Sequence, residues 1–183
     1  MIFARERAEV IANKLKKLMV VQKFQLDDWK VKEGFFLRPE EADLAEEDWE
    51  PFDSRLMHWY GPDRHCWFRT VFTVPEEYGG KGLWLRIRTQ IEEWDDAKNP
   101  QFLVFLNGEV VQGADMNHRE VLLSEAATAG ETVTVDLQAY SGTLHPEFRL
   151  MADVEEVSQP VKDLYYDIQV PLWAMDRMDQ EGK

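Results

Sequence analysis

The feature that most constrains the fold is a two-residue alternation that recurs between residues 65 and 157. It is present in "CWFRTVFTV" (66–74), "LWLRIRT" (83–89), "ETVTVDLQAY" (131–140) and "EFRLMADVEEV" (147–157). This is the period of β-strands, whose successive side chains point to opposite faces of a sheet. Glycine, proline and asparagine separate the runs, and no helix-length pattern intervenes. The sequence therefore predicts a mostly β fold, an antiparallel β-sandwich, and specifically a jelly roll.

A β-hairpin is predicted within that region. "QFLVFLN" and "EVVQG" flank the dipeptide Asn107-Gly108. Both residues tolerate positive φ, and a tight hairpin turn requires it. We therefore expect two paired strands at this point, followed by a polar loop.

Helical patterns occur on either side of the alternating region. Apolar residues in "RAEVIANKLKKLMVV" recur every three or four positions and predict an amphipathic helix over about residues 4–20. A similar stripe from Val161 to Met175 predicts a second helical segment, which Pro171 should kink or divide. That helix either packs back on the sandwich or meets a further part of a longer chain.

The domain organisation follows from these patterns. We expect a helix and connector over residues 1–44, the β-sandwich over 45–158, and a helical linker over 159–183 toward a further part of a longer chain. "PEEADLAEEDWEPFDS" (39–54) is strongly acidic and predicts a solvated, extended or irregular segment.

Charge and cysteine content limit the partners. Among 183 residues, 35 acidic against 21 basic side chains give a net charge of −14. Such a field repels nucleic acid and anionic membranes, so neither is an expected partner. The single cysteine, Cys66, and the lack of a signal-peptide pattern predict a cytoplasmic location.

The loop after the hairpin is the first candidate site. It contains Asp115, Asn117, His118 and Arg119. These side chains could perform acid/base chemistry or hold a sugar hydroxyl. The alternative is a turn, in which short polar side chains hydrogen-bond to the backbone.

"QIEEWDDAKNP" (90–100) is the second candidate. It sets Glu92, Glu93, Asp95 and Asp96 around Trp94. Paired carboxylates serve glycosidases, and clustered carboxylates bind calcium. Neighbouring acids point in different directions, however, so a solvated loop is the simpler interpretation.

A third candidate lies around His58, His65 and Cys66. A histidine and a cysteine could bind zinc or form a nucleophile–base pair. His65 and Cys66 are consecutive and should point to opposite faces of a strand, so a shared metal is not expected. Nearby aromatic residues could stack on a sugar or form core: Trp59, Tyr60 and Trp67.

Several catalytic motifs are missing from the sequence. It contains no GxGxxG, GxxxxGK[ST], GxSxG or HExxH. Dinucleotide-binding proteins, P-loop NTPases, serine hydrolases and zincins therefore lack their central residues here. No complete catalytic apparatus is predicted.

The runs "HCWFR", "EEWDDAKNPQF" and "DMNHREV" resemble the N-terminal domain of glycoside hydrolase family 38 α-mannosidases of the bacterial and cytosolic or vacuolar type. "VFLNGEVV" and "AGETVTVDL" also resemble galactose-binding-like jelly rolls attached to many glycosidases. The likeness extends loosely over nearly the whole chain.

The resemblance implies a non-catalytic domain of an enzyme that hydrolyses terminal α-mannosides. It implies a zinc ion and an aspartate nucleophile in a downstream catalytic domain, because the HxD signature of that domain is absent here. No catalytic or metal-binding residue is thus expected in this chain. Implied partners are the downstream domain, a mannoside and, in a homo-oligomer, a second copy of the chain. Seven residues could form the rim of the pocket or contact carbohydrate: Trp94, Asp95, Asp96, Asp115, Asn117, His118 and Arg119.

Two alternatives stay open at this point. An independent carbohydrate-binding module would use exposed aromatics, for which Trp59, Trp84 and Trp94 are candidates. A small cupin-like metalloenzyme would need clustered histidine ligands on a sheet.

Overall fold

Strands dominate the centre of the chain in the computed structural model, which describes residues 3–44, 48–89, 100–143 and 147–181. The helices are α1 (Ala4–Leu18), α2 (Pro39–Leu44) and α3 (Gln159–Glu181). The first six strands are β1 (Val20–Leu26), β2 (Asp28–Glu33), β3 (Glu50–Asp53), β4 (Trp59–Tyr60), β5 (His65–Thr73) and β6 (Leu83–Arg88). The others are β7 (Gln101–Leu106), β8 (Glu109–Ala114), β9 (Glu120–Ser124), β10 (Thr132–Tyr140), β11 (Glu147–Phe148) and β12 (Met151–Val157).

The strands form two main sheets. The larger has six strands in the order β3-β2-β5-β10-β7-β8, and each neighbouring pair is antiparallel. The smaller has four strands in the order β1-β12-β6-β9, while β4 and β11 pair separately. The predicted fold class, an antiparallel β-sandwich with a helix near each end of the sequence, is confirmed.

The predicted hairpin is also present. β7 and β8 pair across Asn107 and Gly108, whose φ angles are 50° and 87°. The side-chain oxygen of Asn107 accepts the Thr134 N–H at 2.9 Å, which attaches the turn to β10. The turn chemistry and the pairing therefore agree with the sequence.

One apolar core fills the space between the two main sheets, because every second residue of their strands points inward. Phe68 on β5 is fully buried and contacts Phe52 and Trp59 edge-on, at centroid distances of 5.1 and 5.4 Å. Leu85, Val104 and many other aliphatic side chains complete this core. The alternation seen in the sequence thus marks the buried face correctly.

The prediction for residues 39–54 is correct only in part: β3 is extended and most described side chains are exposed, but the segment is not wholly solvated. The segment contains α2 and β3, and Ala42 is completely buried. Ala42 packs with Trp67 and Phe105 on the outer face of the six-stranded sheet. A high acidic content did not prevent burial, because only a few apolar side chains in the segment face the sheet.

The terminal helices α1 and α3 pack on each other. Ala12, Tyr165 and Leu172 form a small buried cluster between them. The helix expected over residues 4–20 is confirmed over Ala4–Leu18. α3 is one helix that includes Pro171, which excludes division into two helices and leaves the predicted kink as the other alternative.

The residues fall into two compact units. One comprises Met1–Lys23 with Glu155–Lys183, and the other Phe24–Val154. Residues 1–44 were expected to form a helix and a connector. In the structure, β1, β2 and α2 follow the helix. Within the described ranges, no helix has both the length and the hydrophobicity needed to cross a membrane.

Candidate functional site

A groove of about 230 Å³ lies on the outer face of the six-stranded sheet. We call it the outer-face groove. Its lining residues come from β5, β7, β10 and the segment after β2: Phe35, His65, Gln101, Phe102, Leu103, Gln138, Ala139 and Tyr140. It lies beside the part of the sheet that α2 and Trp67 cover. α2 therefore covers one part of this face, and the groove leaves another part open to solvent.

Strand register brings the groove side chains together. Tyr140 lies opposite His65 on one side and opposite Gln101 on the other. Gln138 lies opposite Leu103. Because these positions share one parity along antiparallel strands, their side chains emerge on the same face. The groove floor is thus fixed by the sheet itself.

The rings of the groove form a continuous aromatic surface. His65 stacks on Tyr140, with ring centroids 4.9 Å apart and an interplanar angle of 29°. Phe35 meets His65 edge-on at 4.9 Å, and 64% of its surface is exposed. An exposed phenyl ring next to a stacked pair offers an apolar platform in water.

Backbone contacts hold Phe35 in place. The Gly34 N–H donates to the His65 carbonyl at 2.9 Å, and Gly34 has a φ of 143°, where side chains are strained. A Cβ atom at Gly34 would come within 2.6 Å of the Phe36 ring. The Gln138 side-chain amide donates to the Phe36 carbonyl. These contacts position the wall of the groove before any ligand binds.

Tyr140 and Gln101 supply hydrogen-bonding groups to the groove. The Tyr140 hydroxyl donates to Asp63 Oδ1 at 3.1 Å, and this hydrogen bond raises the Tyr140 pKa above its usual value. Tyr140 therefore stays un-ionised at neutral pH. The exposed amide of Gln101 adds two donors and an acceptor. The groove can thus stack against one face of a ligand and hydrogen-bond to its edge.

The closed part of the same face is an electrostatic cluster. Arg69 donates to Asp136 at 2.5 Å and to Asp43 on α2 at 2.6 Å, and lies 4.6 Å from the Trp49 ring. Lys32 donates to the Ala42 carbonyl at 2.5 Å. Burial raises the pKa of Asp136, and Arg69 offsets only part of that effect. These charges attach α2 to the sheet and are structural.

The predicted loop site forms a turn. Asp115 Oδ1 accepts the N–H groups of Asn117 and His118, each at 2.7 Å, and lies 3.1 Å from His118 Nδ1. Burial opposes ionisation of Asp115, but those hydrogen bonds outweigh it and lower the pKa. Arg119 Nε donates to the Met116 carbonyl at 2.7 Å. The structure brings the four candidate residues close together, and a role for them at a pocket rim stays a prediction.

The second candidate loop lies outside the described residues. This applies to Trp94, Asp95 and Asp96, and to the glutamates before them. The sequence alternative also named Trp59 and Trp84 as exposed aromatics. Trp59 is only 6% exposed and belongs to the central core, while Trp84 is half-buried on β6. Trp59 as an exposed sugar platform is therefore wrong.

The three residues of the third candidate site lie in different environments. His58 pairs with Glu147 at the surface. His65 lines the outer-face groove, and Cys66 is buried in the central core. The two consecutive residues point to opposite faces, as the strand period predicts. Within the described part of the chain, no group of three or more histidine, cysteine or acidic residues could hold a metal ion.

Cys66 should be inert in the folded protein. Burial raises the pKa of its thiol to about 11, so the reactive thiolate is scarce at neutral pH. We expect negligible modification by a disulfide reagent under native conditions and rapid modification in denaturant. The rate of colour release from Ellman's reagent checks this. Rapid labelling of the native protein would contradict the buried position.

Part of the groove was predictable from the sequence. The alternation in "ETVTVDLQAY" predicted that Gln138 and Tyr140 lie on the strand face opposite to the core residues Leu137 and Ala139. It did not show that these strands lie side by side, since that depends on long-range register. Nothing in the sequence marked Phe35, whose position depends on the backbone at Gly34.

Solved structures with a similar fold are β-glucuronidase chains from Ruminococcus gnavus. The complex with D-glucuronic acid has a TM-score of 0.49 and 14% sequence identity, over 75% of this chain and 30% of that chain. The complex with D-glucaro 1,5-lactone has a TM-score of 0.48 and 16% identity over the same shares. This chain therefore spans about 30% of the length of those structures. No family model and no curated protein matches the sequence.

The expected membership in family 38 α-mannosidases is wrong. The similar solved structures are β-glucuronidases, and no family model supports the assignment. The runs "HCWFR", "VFLNGEVV" and "AGETVTVDL" lie in β5, the β7–β8 hairpin and β10. Strand alternation and turn chemistry produce such runs in unrelated sandwiches. The zinc ion and the mannoside substrate followed only from that resemblance, and they lose their basis with it.

Proposed function

We propose that this chain is a non-catalytic, carbohydrate-binding β-sandwich that holds a neutral saccharide in the outer-face groove. The observation that carries the proposal is the exposed Phe35 ring beside the His65–Tyr140 stack, with the Gln101 amide at the edge. A sugar ring has an apolar C–H face and a rim of hydroxyl groups. The groove offers a surface for each.

The size of the groove favours a small contact. Its volume of about 230 Å³ is below the range of roughly 300–1,000 Å³ for enclosed small-molecule pockets. One or two sugar units of a longer chain would fill it. Such a site would bind weakly, because few ligand atoms make contact.

Charge favours a neutral ligand over an acidic one. The chain carries a net charge of −14, which repels anions at a distance. Near the groove, Asp63 accepts the Tyr140 hydrogen bond, and Arg64 is paired with Glu33. Arg64, which could have bound the carboxylate of a uronic acid, is therefore already in an ion pair.

The described titratable groups support an accessory role. Asp136 is bound to Arg69, Asp115 has a lowered pKa within its turn, and the Cys66 thiol is buried. Each of these groups is committed to structure. We also propose that the chain lies beside a catalytic domain of the same polypeptide, with the sugar as their shared ligand.

Calorimetric titration of the 183-residue chain with oligosaccharides tests the proposal. We expect saturable binding to a neutral oligosaccharide such as cellohexaose or mannohexaose, and at least about tenfold weaker binding after Phe35→Ala, because the platform is removed. Gln101→Ala should weaken binding less, since it removes only edge hydrogen bonds.

The matched control is Leu37→Ala. Leu37 is exposed, lies in the same segment and does not line the groove. Its substitution should leave the affinity unchanged. Equal losses for Phe35→Ala and Leu37→Ala would contradict the proposal, and so would tighter binding of D-glucuronic acid than of the neutral sugars.

A further inference from the structure

The helix pair α1–α3 has an apolar face that no described residue covers. On α3, one stripe faces α1 and contains Tyr165, Ile168 and Leu172. An adjacent stripe, on the side that precedes those residues, contains the exposed Leu164, Pro171, Met175 and Met178, with the exposed Asp167 directly before Ile168. Its spacing of seven, four and three residues keeps it on one side of the helix.

α1 has a matching stripe. Ala12 is buried against α3, and the preceding residue, Ile11, is exposed, as is Leu18 seven residues later. The two helices are antiparallel, since the Ser158 N–H donates to the Met19 carbonyl at 2.9 Å and Arg5 pairs with Asp176. In antiparallel helices, positions that precede the buried stripe lie on the same side of the pair. Ile11, Leu18 and the α3 stripe therefore form one continuous surface, which we call the helix-pair face.

The opposite side of the pair is different. There α3 presents the exposed Tyr166, Val170 and Trp173, but α1 presents the polar residues Glu6 and Asn13. The helix-pair face has exposed apolar residues along both helices, and the exposed Val10 of α1 lies between the two sides. The helix-pair face is thus the side on which another helix pair could pack over its full width.

Charge indicates what covers this face. α1 contains five basic and two acidic residues, and α3 contains two basic and five acidic residues. Within the helix-pair face, Arg7 and Lys14 flank Ile11, while Asp167 flanks Leu164. A surface with a basic half and an acidic half complements a copy of itself after a two-fold rotation.

We infer that the helix-pair face binds a second copy of this chain, with α1 of each protomer on α3 of the other. The two-fold axis runs parallel to the helices, and the four helices form an antiparallel bundle. The other two-fold arrangement would place α1 on α1 and bring like charges together. The charge pattern therefore selects the α1-on-α3 arrangement.

The contacts within one helix pair also predict the register between protomers. Arg5 is level with Asp176, and Met19 is level with Ser158. Rotation about an axis parallel to the helices preserves these levels. Lys14 of one protomer then lies level with the turn of α3 that contains Asp167 of the other, and Ile11 lies between apolar residues of that helix.

Sedimentation equilibrium of the intact chain tests this inference. We expect a reversible association between the 21.5 kDa monomer and a species of twice that mass. Ile11→Glu and Met175→Glu should each weaken association by at least about tenfold, because each places a charge in the apolar face. Val71→Glu, at an exposed position of β5 outside both helices, should leave it unchanged.

A charge reversal tests the arrangement. Lys14→Glu and Asp167→Lys should each weaken the dimer, and the double variant in one chain should restore it. Circular dichroism and the melting temperature show that each variant is folded. A wild-type chain that stays monomeric would overturn the inference, as would equal loss from Val71→Glu and Ile11→Glu. Failure of the double variant to restore association would overturn the α1-on-α3 arrangement.

Discussion

Replacing Arg69 with methionine should destabilise the sandwich by about 3 to 5 kcal/mol at neutral pH. Arg69 is the counter-ion of Asp136, which is only 1% exposed, and it also binds Asp43 on α2. Methionine keeps much of the packing against Trp49 but removes the charge. Asp136 would then be a buried carboxylate without its counter-ion, and an unpaired buried charge is strongly destabilising.

The cost should depend on pH in a defined direction. Burial raises the pKa of Asp136 in the folded protein, and loss of Arg69 would raise it further. A carboxyl with a raised folded pKa contributes stability below its unfolded pKa of about 3.9, and loses that contribution as pH rises through the folded pKa. The difference between Arg69→Met and the wild type should therefore be largest near neutral pH and shrink as the solution is acidified.

Urea unfolding from about pH 7 down to about pH 4 measures this difference. The double variant Arg69→Met/Asp136→Leu removes both charges and should recover a substantial part of the lost stability at neutral pH. Arg55→Met is the matched control, since the Arg55–Asp53 pair lies at the surface and should contribute far less. A pH-independent loss, or no recovery in the double variant, would show that the charge of Asp136 is not the cause.

Phe68→Ala should cost about 3 to 5 kcal/mol through a different mechanism. The Phe68 ring is fully buried between Phe52 and Trp59, and its removal leaves a cavity that the two sheets cannot close. The loss should be independent of pH between about 5 and 8, because no titratable group takes part. Chemical denaturation at two pH values measures it.

Phe35→Ala is the control for that experiment. Phe35 is the same residue type but is 64% exposed, so its removal should change stability by no more than about 0.5 kcal/mol. The two phenylalanines thus separate two roles: Phe68 should affect stability, and Phe35 should affect binding. A large stability loss from Phe35→Ala would mean that the outer-face groove is part of the core rather than a site.

Local patterns predicted the elements whose causes are local. The strands follow from two-residue alternation, the hairpin from Asn107-Gly108, and α1 from its apolar spacing. These features depend on residues close together in the chain. For this reason they could be predicted from the sequence alone.

Long-range packing could not be predicted in this way. The acidic segment at 39–54 contains a helix that covers the sheet, because Ala42 meets Trp67 and Phe105 from distant strands. In the 115–119 loop, the side chain of Asp115 makes the turn hydrogen bonds that the sequence offered as one alternative. The outer-face groove depends on the register of β5, β7 and β10, and on the backbone at Gly34. None of these is encoded in a short motif.

The central claim is that the outer-face groove is where sugar binds. Amide chemical-shift mapping during titration with a neutral oligosaccharide tests it most directly. We predict that the largest shifts fall on residues 34–36, His65, Gln101 and Gln138–Tyr140, and that Phe35→Ala abolishes them. Largest shifts at residues 94–96 or 115–119, or no saturable shifts with any neutral sugar, would contradict the account.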